Sequence, residues 1–428
     1  MNKKETVSYC LDALKKAGAD KAACSMNMME KKELNVEIGE MTLLRTTFNN
    51  NMGISVIKDK KKGSTSINKT DKDSIDTAVE LVMEMAEGSQ PDEAYDIAEQ
   101  QPSKSFSKGD ESANLDTMYQ SLEEFVDYVK STYPKIQLEA AIMDFNHSRS
   151  FFQNTNGVDF EIREGMYGFS PWFLSKDGKD TSSFNGTGFS ALKVEKPLHE
   201  YGSIDTLLKQ SVEQLHTQNI SDKFVGQLVI TPDCISDFLG FITSDISDGK
   251  MISGNSLYSE KLNEQITHPK LTFHSRPFSK EIVDGYFITS DGYVAENSTI
   301  VDKGILKTHL LGIYGAKKLS KNRAVNDGGA YIIDAGDKPH AEMIKNIDQG
   351  VLLARFSGGN PANNGDFSGV AKNSYYIENG EIKHPLTETM VSGNIREMFE
   401  NLDEISSDRI DFGSGILPWI SFKGITVS

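Results

Sequence analysis

The chain has 428 residues, of which 38% are hydrophobic and 25% charged, a composition typical of a soluble globular protein with two or three domains. The formal net charge of -17 argues against direct nucleic-acid binding, which depends on lysine and arginine contacts to phosphate. No run of about 18 apolar residues predicts a membrane span, and the polar start MNKKETVSYC is not expected to be a signal peptide.

Three widely spaced cysteines predict neither a disulfide framework nor a Cys-x-x-Cys motif, so we expect a reducing, cytoplasmic compartment. Apolar spacing in the first half predicts helices from about residue 5 to Gly18, at 71–85, at 115–129 and near 207–215. The polar, unpatterned residues 87–112 predict a long surface excursion. Alternating segments predict strands at 20–28, 32–38, 41–47, 53–59 and 64–67, and several more between 137 and 191.

The second half begins with the apolar strand LVI, followed by a helix that starts at Thr231 and Pro232. Beyond residue 265, short strands alternate with turns, and Asn379–Gly380 predicts a tight hairpin. The fold class is therefore predicted to be α+β, with a mixed α/β N-terminal domain at 1–220 and a β-dominated C-terminal domain at 221–428.

Familiar catalytic spacings are missing from the sequence. There is no G-x-S-x-G elbow, no G-x-x-x-x-G-K-[ST] loop and no Rossmann glycine pattern. The pair His199–Glu200 has no second histidine one helical turn on, as a zinc peptidase motif requires. If HPKLTFH is a strand, its even spacing puts His268 and His274 on one face, where they could ligate a metal, although no third ligand is evident.

Three long segments together resemble the TldD/PmbA family, which is associated with metallopeptidase activity, peptide maturation and an older description as modulators of DNA gyrase. The most specific is GDFSGVAKNSYYIENGEIKHPLTETMVSGNIREMFENL, with GDFS, IENGEI, a proline and SGN before an amphipathic helix. The other two lie at residues 36–68 and 291–324. The resemblance spans most of the chain and is diffuse between residues 90 and 220.

Within this family, the TldD branch carries H-E-x-x-x-H on the helix after the strand that opens the second domain. Here the corresponding residues 240–245 read GFITSD, and no cysteine stands near the late glycine-rich stretch. The chain therefore resembles the zinc-free PmbA/TldE branch. The resemblance implies no cofactor in this chain, zinc in a TldD-type partner, a dimer, an unfolded peptide substrate, and neither membrane nor direct nucleic-acid binding.

The resemblance also implies where a peptide cleft or partner interface would lie, and it assigns no catalytic residue and no metal ligand to this chain. A bare structural turn is the alternative for GDFSG. Other family members often carry F-D-D-E-G where this chain has TSDGY, so only Asp291 and Gly292 match there. The candidate residues are Asp291, Gly292, Gly365, Asp366, Phe367, Ser368 and Gly369.

Two other functions stay open on the sequence. The chain could be a stand-alone metallopeptidase that uses His268, His274 and a carboxylate. It could instead be a regulatory protein-binding module of the gyrase-modulator type. The sequence decides neither the natural peptide substrate nor the choice between a homodimer and a heterodimer with a TldD-type chain.

Overall fold

Two large β-sheets dominate the structure, a computed structural model that describes residues 2–428. The first sheet is built from residues between 21 and 191, and the second from residues between 224 and 427. Helices pack on both, so the predicted α+β class is confirmed. The division at 1–220 and 221–428 stays a prediction; it falls between the two sheets along the chain. Within residues 2–428, no helix is both long and apolar enough to cross a membrane.

The first sheet has a central set of long antiparallel strands. Its strands are β1 (Lys21–Glu37), β2 (Glu40–Lys58), β3 (Lys61–Ile67), β4 (Lys104–Lys108), β5 (Ile136–Asn154), β6 (Asp159–Asp177), β7 (Asp180–Thr181), β8 (Asn185–Gly186) and β9 (Phe189–Ala191). They lie in the order β3-β2-β1-β5-β6-β4, and the short strands β7, β8 and β9 pair with β6.

Amphipathic helices cover this sheet: α1 (Lys3–Lys16), α2 (Lys72–Gly88), α3 (Leu115–Thr132) and α4 (Ile204–Glu213). The side chain of Asn2 caps the first helix and accepts from the backbone N–H of Glu5. The Glu5 side chain in turn accepts from the backbone N–H of Asn2, which completes a capping box. Helices α1 and α2 bury their apolar faces against one end of the sheet, and α3 and α4 pack over β5 and β6. A short 3₁₀ turn, Leu198–Glu200, precedes α4.

The second sheet has many shorter strands around a long C-terminal one. Its strands are β10 (Phe224–Ile230), β11 (Phe273–Ser275), β12 (Ser298–Asp302), β13 (Ile305–Leu306), β14 (Tyr331–Ile333), β15 (Gln349–Leu353), β16 (Arg355–Gly358), β17 (Asp366–Lys372), β18 (Tyr375–Glu378), β19 (Glu381–Pro385), β20 (Thr389–Asn394), β21 (Leu402–Asp411) and β22 (Gly415–Val427). The main order is β13-β12-β11-β14-β22-β10-β15-β18-β19, and β16, β17, β20 and β21 join through β22.

The helices of the second half are α5 (Pro232–Asp245), α6 (Asp248–Ile252), α7 (Ile313–Leu319), α8 (His340–Ile344) and α9 (Ile395–Glu400). The predicted hairpin at Asn379–Gly380 is confirmed, because both residues have positive φ between β18 and β19. The largest core cluster lies under α5 and α9 and includes Phe238, Phe399 and Phe422.

Several predicted strands were wrong in extent. Segments 20–28 and 32–38 form the single strand β1, and segments 41–47 and 53–59 form the single strand β2. The polar residues between them interrupt the sequence pattern, but β1 pairs with β2 and β5 along most of its length. The backbone bonds of this ladder hold the chain extended wherever the side-chain alternation fails.

The predicted surface excursion at 87–112 was also wrong in part. Residues 104–108 form β4, which pairs in parallel with β6, and Ala94 and Ala98 are buried. Asp92 accepts from Lys318 Nζ at 2.6 Å and from Tyr314 Oη at 2.9 Å, and Asp96 is ion-paired with Lys317. We call Asp92, Asp96, Lys317 and Lys318 the latch, because they join this segment to α7 of the second half.

Candidate functional site

Helix α5 lines a cleft of about 720 Å³ beside the second sheet. Pro232 occupies the first turn after Thr231, where its missing N–H has no cost. One face of the helix, with Ile235, Phe238 and Leu239, is buried in the core. The opposite face carries small and polar residues and forms one wall of the cleft; it includes Ser236, Asp237, Gly240, Phe241 and Ser244.

The opposite wall is the loop that joins β16 to β17, with residues 358–363 facing the cleft. Two backbone bonds fix this loop: the Ala362 N–H donates to the Asp366 carbonyl, and the Gly365 N–H donates to the Ala362 carbonyl, both at 2.8 Å. Gly365 has φ +93°, which glycine adopts without strain. The wall is therefore a defined turn and not a loose glycine-rich segment.

Some polar side chains of the cleft-lining residues have hydrogen-bond or ion-pair partners, and others have none within residues 2–428. Asp245 is buried, accepts from the Leu257 N–H at 3.0 Å and pairs with Lys250 Nζ at 3.0 Å. Asp237 makes no hydrogen bond or ion pair within residues 2–428, and partial desolvation raises its pKa. The hydroxyl of Tyr258, a residue only 3% exposed, also has no partner among the described residues. Burial, and then the nearby Asp245 charge, raise the pKa of Tyr258.

These donors do not fit zinc. Proteins hold zinc with sets of histidine nitrogen, cysteine sulfur and carboxylate oxygen, and within residues 2–428 neither histidine nor cysteine lines the cleft. Cys234, in the first turn of α5, is 1% exposed, and burial raises its thiol pKa well above the usual value. Across residues 2–428, His, Cys, Asp and Glu side chains form no group of three or more that could hold a metal ion.

The two histidines considered as ligands do not share a strand face, so that prediction was wrong. The strand β11 begins at Phe273, and His268 precedes a turn at Pro269 in which the Leu271 N–H donates to the His268 carbonyl. His274 is buried and bonded to Thr299 Oγ1 at 2.9 Å and Asp334 Oδ1 at 3.1 Å. These contacts satisfy its ring in a structural position.

The GDFSG segment does not line the cleft, and all of it except Gly365 is strand. Asp366, Phe367, Ser368 and Gly369 begin strand β17, which pairs with β16 and β20, and Gly365 alone lies in the preceding turn. Phe367 is buried, with its ring centroid 5.7 Å from that of Phe238. The strand therefore positions the cleft wall, while the loop before it faces the cleft.

Asp291 and Gly292 lie away from the cleft walls, at a contact between the two halves of the chain. Asp291 accepts from the Ile313 N–H at 3.0 Å, at the start of α7, and from the Arg323 guanidinium at 3.3 Å. The Gly292 carbonyl accepts from Gln101 Nε2 at 2.9 Å. A Cβ at Gly292 would lie 2.4 Å from the Phe152 ring, so only glycine fits there.

Sequence reasoning missed Asp237, Tyr258 and the facing loop 358–363. Asp237 had a usable signal, because it lies on the polar face opposite the predicted apolar stripe of the helix. Tyr258 had none: it lies in the polar stretch after α6, and only the folded chain brings it against α5.

Comparisons with known proteins match this chain over most of its length. The family model for the PmbA/TldA metallopeptidase C-terminal domain matches residues 225–428, and the model for PmbA/TldA metallopeptidase domain 1 matches residues 29–86. A metalloprotease PmbA homolog from Haemophilus influenzae is 23% identical over 98% of this chain and 96% of its own. The metalloprotease PmbA of Escherichia coli O157:H7 is 22% identical with the same coverage, 98% and 96%.

Two solved structures have the same fold. TldE from Thermococcus kodakarensis superposes with a TM-score of 0.83 at 16% identity, covering 99% of this chain and 100% of that one. A candidate modulator of DNA gyrase from Bacteroides thetaiotaomicron gives a TM-score of 0.86 at 20% identity, covering 99% and 98%. At such identities the likeness is one of fold.

Proposed function

This chain belongs to the PmbA/TldD family, and we propose that it acts as the PmbA/TldE-type subunit of a two-chain metallopeptidase in the cytoplasm. In this proposal a TldD-type chain contributes the zinc and cleaves unfolded peptides during their maturation or degradation. This chain contributes a peptide-binding wall and no catalytic residue.

One observation carries the proposal. Residues 240–245 of α5, the positions of the TldD-branch zinc motif, read GFITSD and contain neither the histidines nor the glutamate of that motif; all but Thr243 line the cleft. The cleft volume of about 720 Å³ suits a few residues of an extended peptide. A cleft without histidine or cysteine ligands is what a binding subunit needs when its partner performs the hydrolysis.

The first sheet supports the assembly with a partner chain. Strand β3 pairs only with residues 52–58 of β2, so residues 40–51 pair with β1 on one side and have no strand partner on the other side within residues 2–428. Exposed apolar side chains lie along this open edge, including Leu44 at 59% and Phe48 at 73% exposure. Folded proteins usually protect such an edge, and a second chain would do so here.

The test is to purify this chain alone and with a TldD-type chain, then measure zinc content and cleavage of an unstructured fluorogenic peptide. We expect near-zero zinc and no cleavage for the lone chain, and cleavage abolished by a chelator for the mixture. Chelator-sensitive cleavage by the lone chain would overturn the proposal and support the alternative of a stand-alone metallopeptidase. A mixture that cleaves the peptide no faster than the TldD-type chain does alone would also overturn it.

A further inference from the structure

Two polar groups of the cleft have no partner in the described part of the chain. Asp237 exposes its carboxylate to the cleft, and the Tyr258 hydroxyl is buried without a hydrogen bond. Leaving a buried hydroxyl unsatisfied is costly, so such groups usually meet a ligand or an ordered water. The cleft therefore offers the Asp237 carboxylate to a ligand, whereas the Tyr258 hydroxyl is enclosed behind its wall.

The charges around the cleft do not cancel. The ionisable acids and bases among its lining residues are Asp237, Asp245 and Lys250, and the last two form an ion pair at 3.0 Å. Asp237 is left as the uncompensated charge. A cationic ligand would complement it, whereas an anionic ligand would meet a like charge.

The rest of the lining combines polar and apolar groups. Phe241, Leu257, Phe356 and Ile395 contribute apolar surface to the walls. Lysine and arginine have the matching shape, because an aliphatic stem lies along apolar surface while the charged end reaches a polar partner. The guanidinium of arginine has five N–H donors in a rigid fork and can reach more than one acceptor.

We propose that this cleft is a specificity pocket for a cationic side chain, arginine or lysine, of the peptide substrate. Asp237 forms the ion pair with that side chain. This inference rests on the proposed function, since it assumes that the peptide of the assembly passes along α5.

The test compares three labelled, unstructured hexapeptides that differ at one central position, which is arginine, leucine or glutamate. Fluorescence anisotropy measures their binding to the chain alone and with a TldD-type partner. We expect the arginine peptide to bind about tenfold more tightly than the leucine peptide, with the glutamate peptide weakest. The preference should shrink as salt is raised, because the exposed carboxylate is screened.

Variants separate the pocket from a general effect. Asp237→Asn should reduce the arginine preference to within about twofold. Glu80→Gln removes an exposed carboxylate on α2, outside the cleft, and should leave the preference unchanged. Circular dichroism of each variant checks that the fold is retained.

The outcomes distinguish this inference from the proposed function. Equal binding and equal cleavage of the three peptides would overturn the pocket and leave the two-chain peptidase intact. Failure of every peptide to bind or be cleaved, with or without the partner, would overturn both. If Asp237→Asn weakened association with the partner chain and not peptide selection, the pocket would hold a partner side chain, and the peptide assignment would be wrong.

Discussion

A single aromatic ring and two glycines hold the hairpin wall of the cleft against the core. Gly358 and Gly369 are register partners in β16 and β17, and the Phe356 ring lies over both. The ring centroid of Phe356 is also 5.2 Å from that of Phe238 on α5. A side chain at either glycine would displace the ring that connects the two walls.

We predict that Gly369→Ala destabilises the fold by about 1–3 kcal/mol, the usual cost of overpacking. The added Cβ would lie 2.4 Å from the Phe356 ring and 2.8 Å from the Gly358 Cα, so the hairpin must shift. Urea unfolding measures the change. Gly359→Ala is the matched control in the same hairpin, with no atom within 4 Å, and should stay within about 0.5 kcal/mol. Equal losses would contradict the packing argument.

Asp233 provides a pH-dependent test of the start of α5. It accepts from Thr187 Oγ1 at 2.8 Å and Ser203 Oγ at 2.6 Å, yet burial is the main influence and raises its pKa. A raised folded-state pKa means that the folded chain binds more protons than the unfolded chain above pH about 4. The free energy of unfolding therefore falls as pH rises through that range.

The Asp233→Asn variant has no carboxyl group to ionise at this position. We therefore expect its free energy of unfolding, relative to that of the wild type, to increase from pH 4 to pH 7, the range above the unfolded carboxyl pKa of about 3.9. Urea unfolding of both proteins at several pH values in this range measures the difference. The prediction would be contradicted if the difference in unfolding free energy between variant and wild type did not change with pH, or if the variant became relatively less stable toward pH 7.

At the scale of elements, the open edge of β2 gives the sharpest test of assembly. We predict that Leu44→Lys combined with Phe48→Lys weakens association with the partner chain by about 2 kcal/mol or more, because charged side chains replace exposed apolar contacts. Analytical ultracentrifugation of the mixture measures this. Leu81→Lys, at a 47% exposed position on α2, is the control and should associate normally. Unchanged association of the edge variant would place the interface elsewhere.

Helices whose apolar spacing continues over their whole length could be predicted from the sequence. The full extent of the long strands could not, because it depends on pairing with neighbouring strands. Residues 71–85 and 115–129 keep helical spacing throughout, and the structure places α2 and α3 there. The long strands lose their alternation at polar runs such as residues 49–51, where only the neighbouring strand reveals that β2 continues. Local patterns carry no information about such partners.

The cleft could also be predicted from the sequence only in part. The polar face of α5 follows from the apolar stripe opposite it, so half of the cleft was accessible to sequence reasoning. Family resemblance predicted GDFSG as a cleft or interface loop, but its strand conformation depends on pairing with β16 and β20. Tyr258 reaches α5 through tertiary folding alone.

At the scale of the whole molecule, the latch joins the excursion of the first half to α7. We predict that Lys317→Ala combined with Lys318→Ala speeds proteolytic cleavage within residues 89–103, because Asp92 and Asp96 lose these partners. Limited proteolysis with mass spectrometry measures the cleavage sites. Lys307→Ala, on an exposed lysine without an ion pair in the described chain, should behave as wild type. Identical digestion of the latch variant would refute this role.

The latch should also respond to acid. Hydrogen bonding and charge from Lys318, with help from the Ala94 N–H and Tyr314, lower the pKa of Asp92 to about 2. A lowered folded-state pKa stabilises the fold above the unfolded pKa of about 3.9, and this contribution is lost as pH falls toward 2. At neutral pH, Asp92 of the wild type is ionised and bonded to Lys318. The variant with Lys317→Ala and Lys318→Ala should therefore be cleaved faster than the wild type at that pH.

The lengths of β2, β5 and β6 have a mechanical consequence. Each has 19 residues, which at about 3.3 Å per residue is roughly 60 Å of continuous strand. Such a strand acts as a lever arm: a tilt of about 5° at its base displaces its tip by about 5 Å. The tip of the β1–β2 ribbon is bonded to β5, because the Ile38 and Gly39 N–H groups donate to the Glu139 and Leu138 carbonyls, so the ribbon and β5 would tilt together.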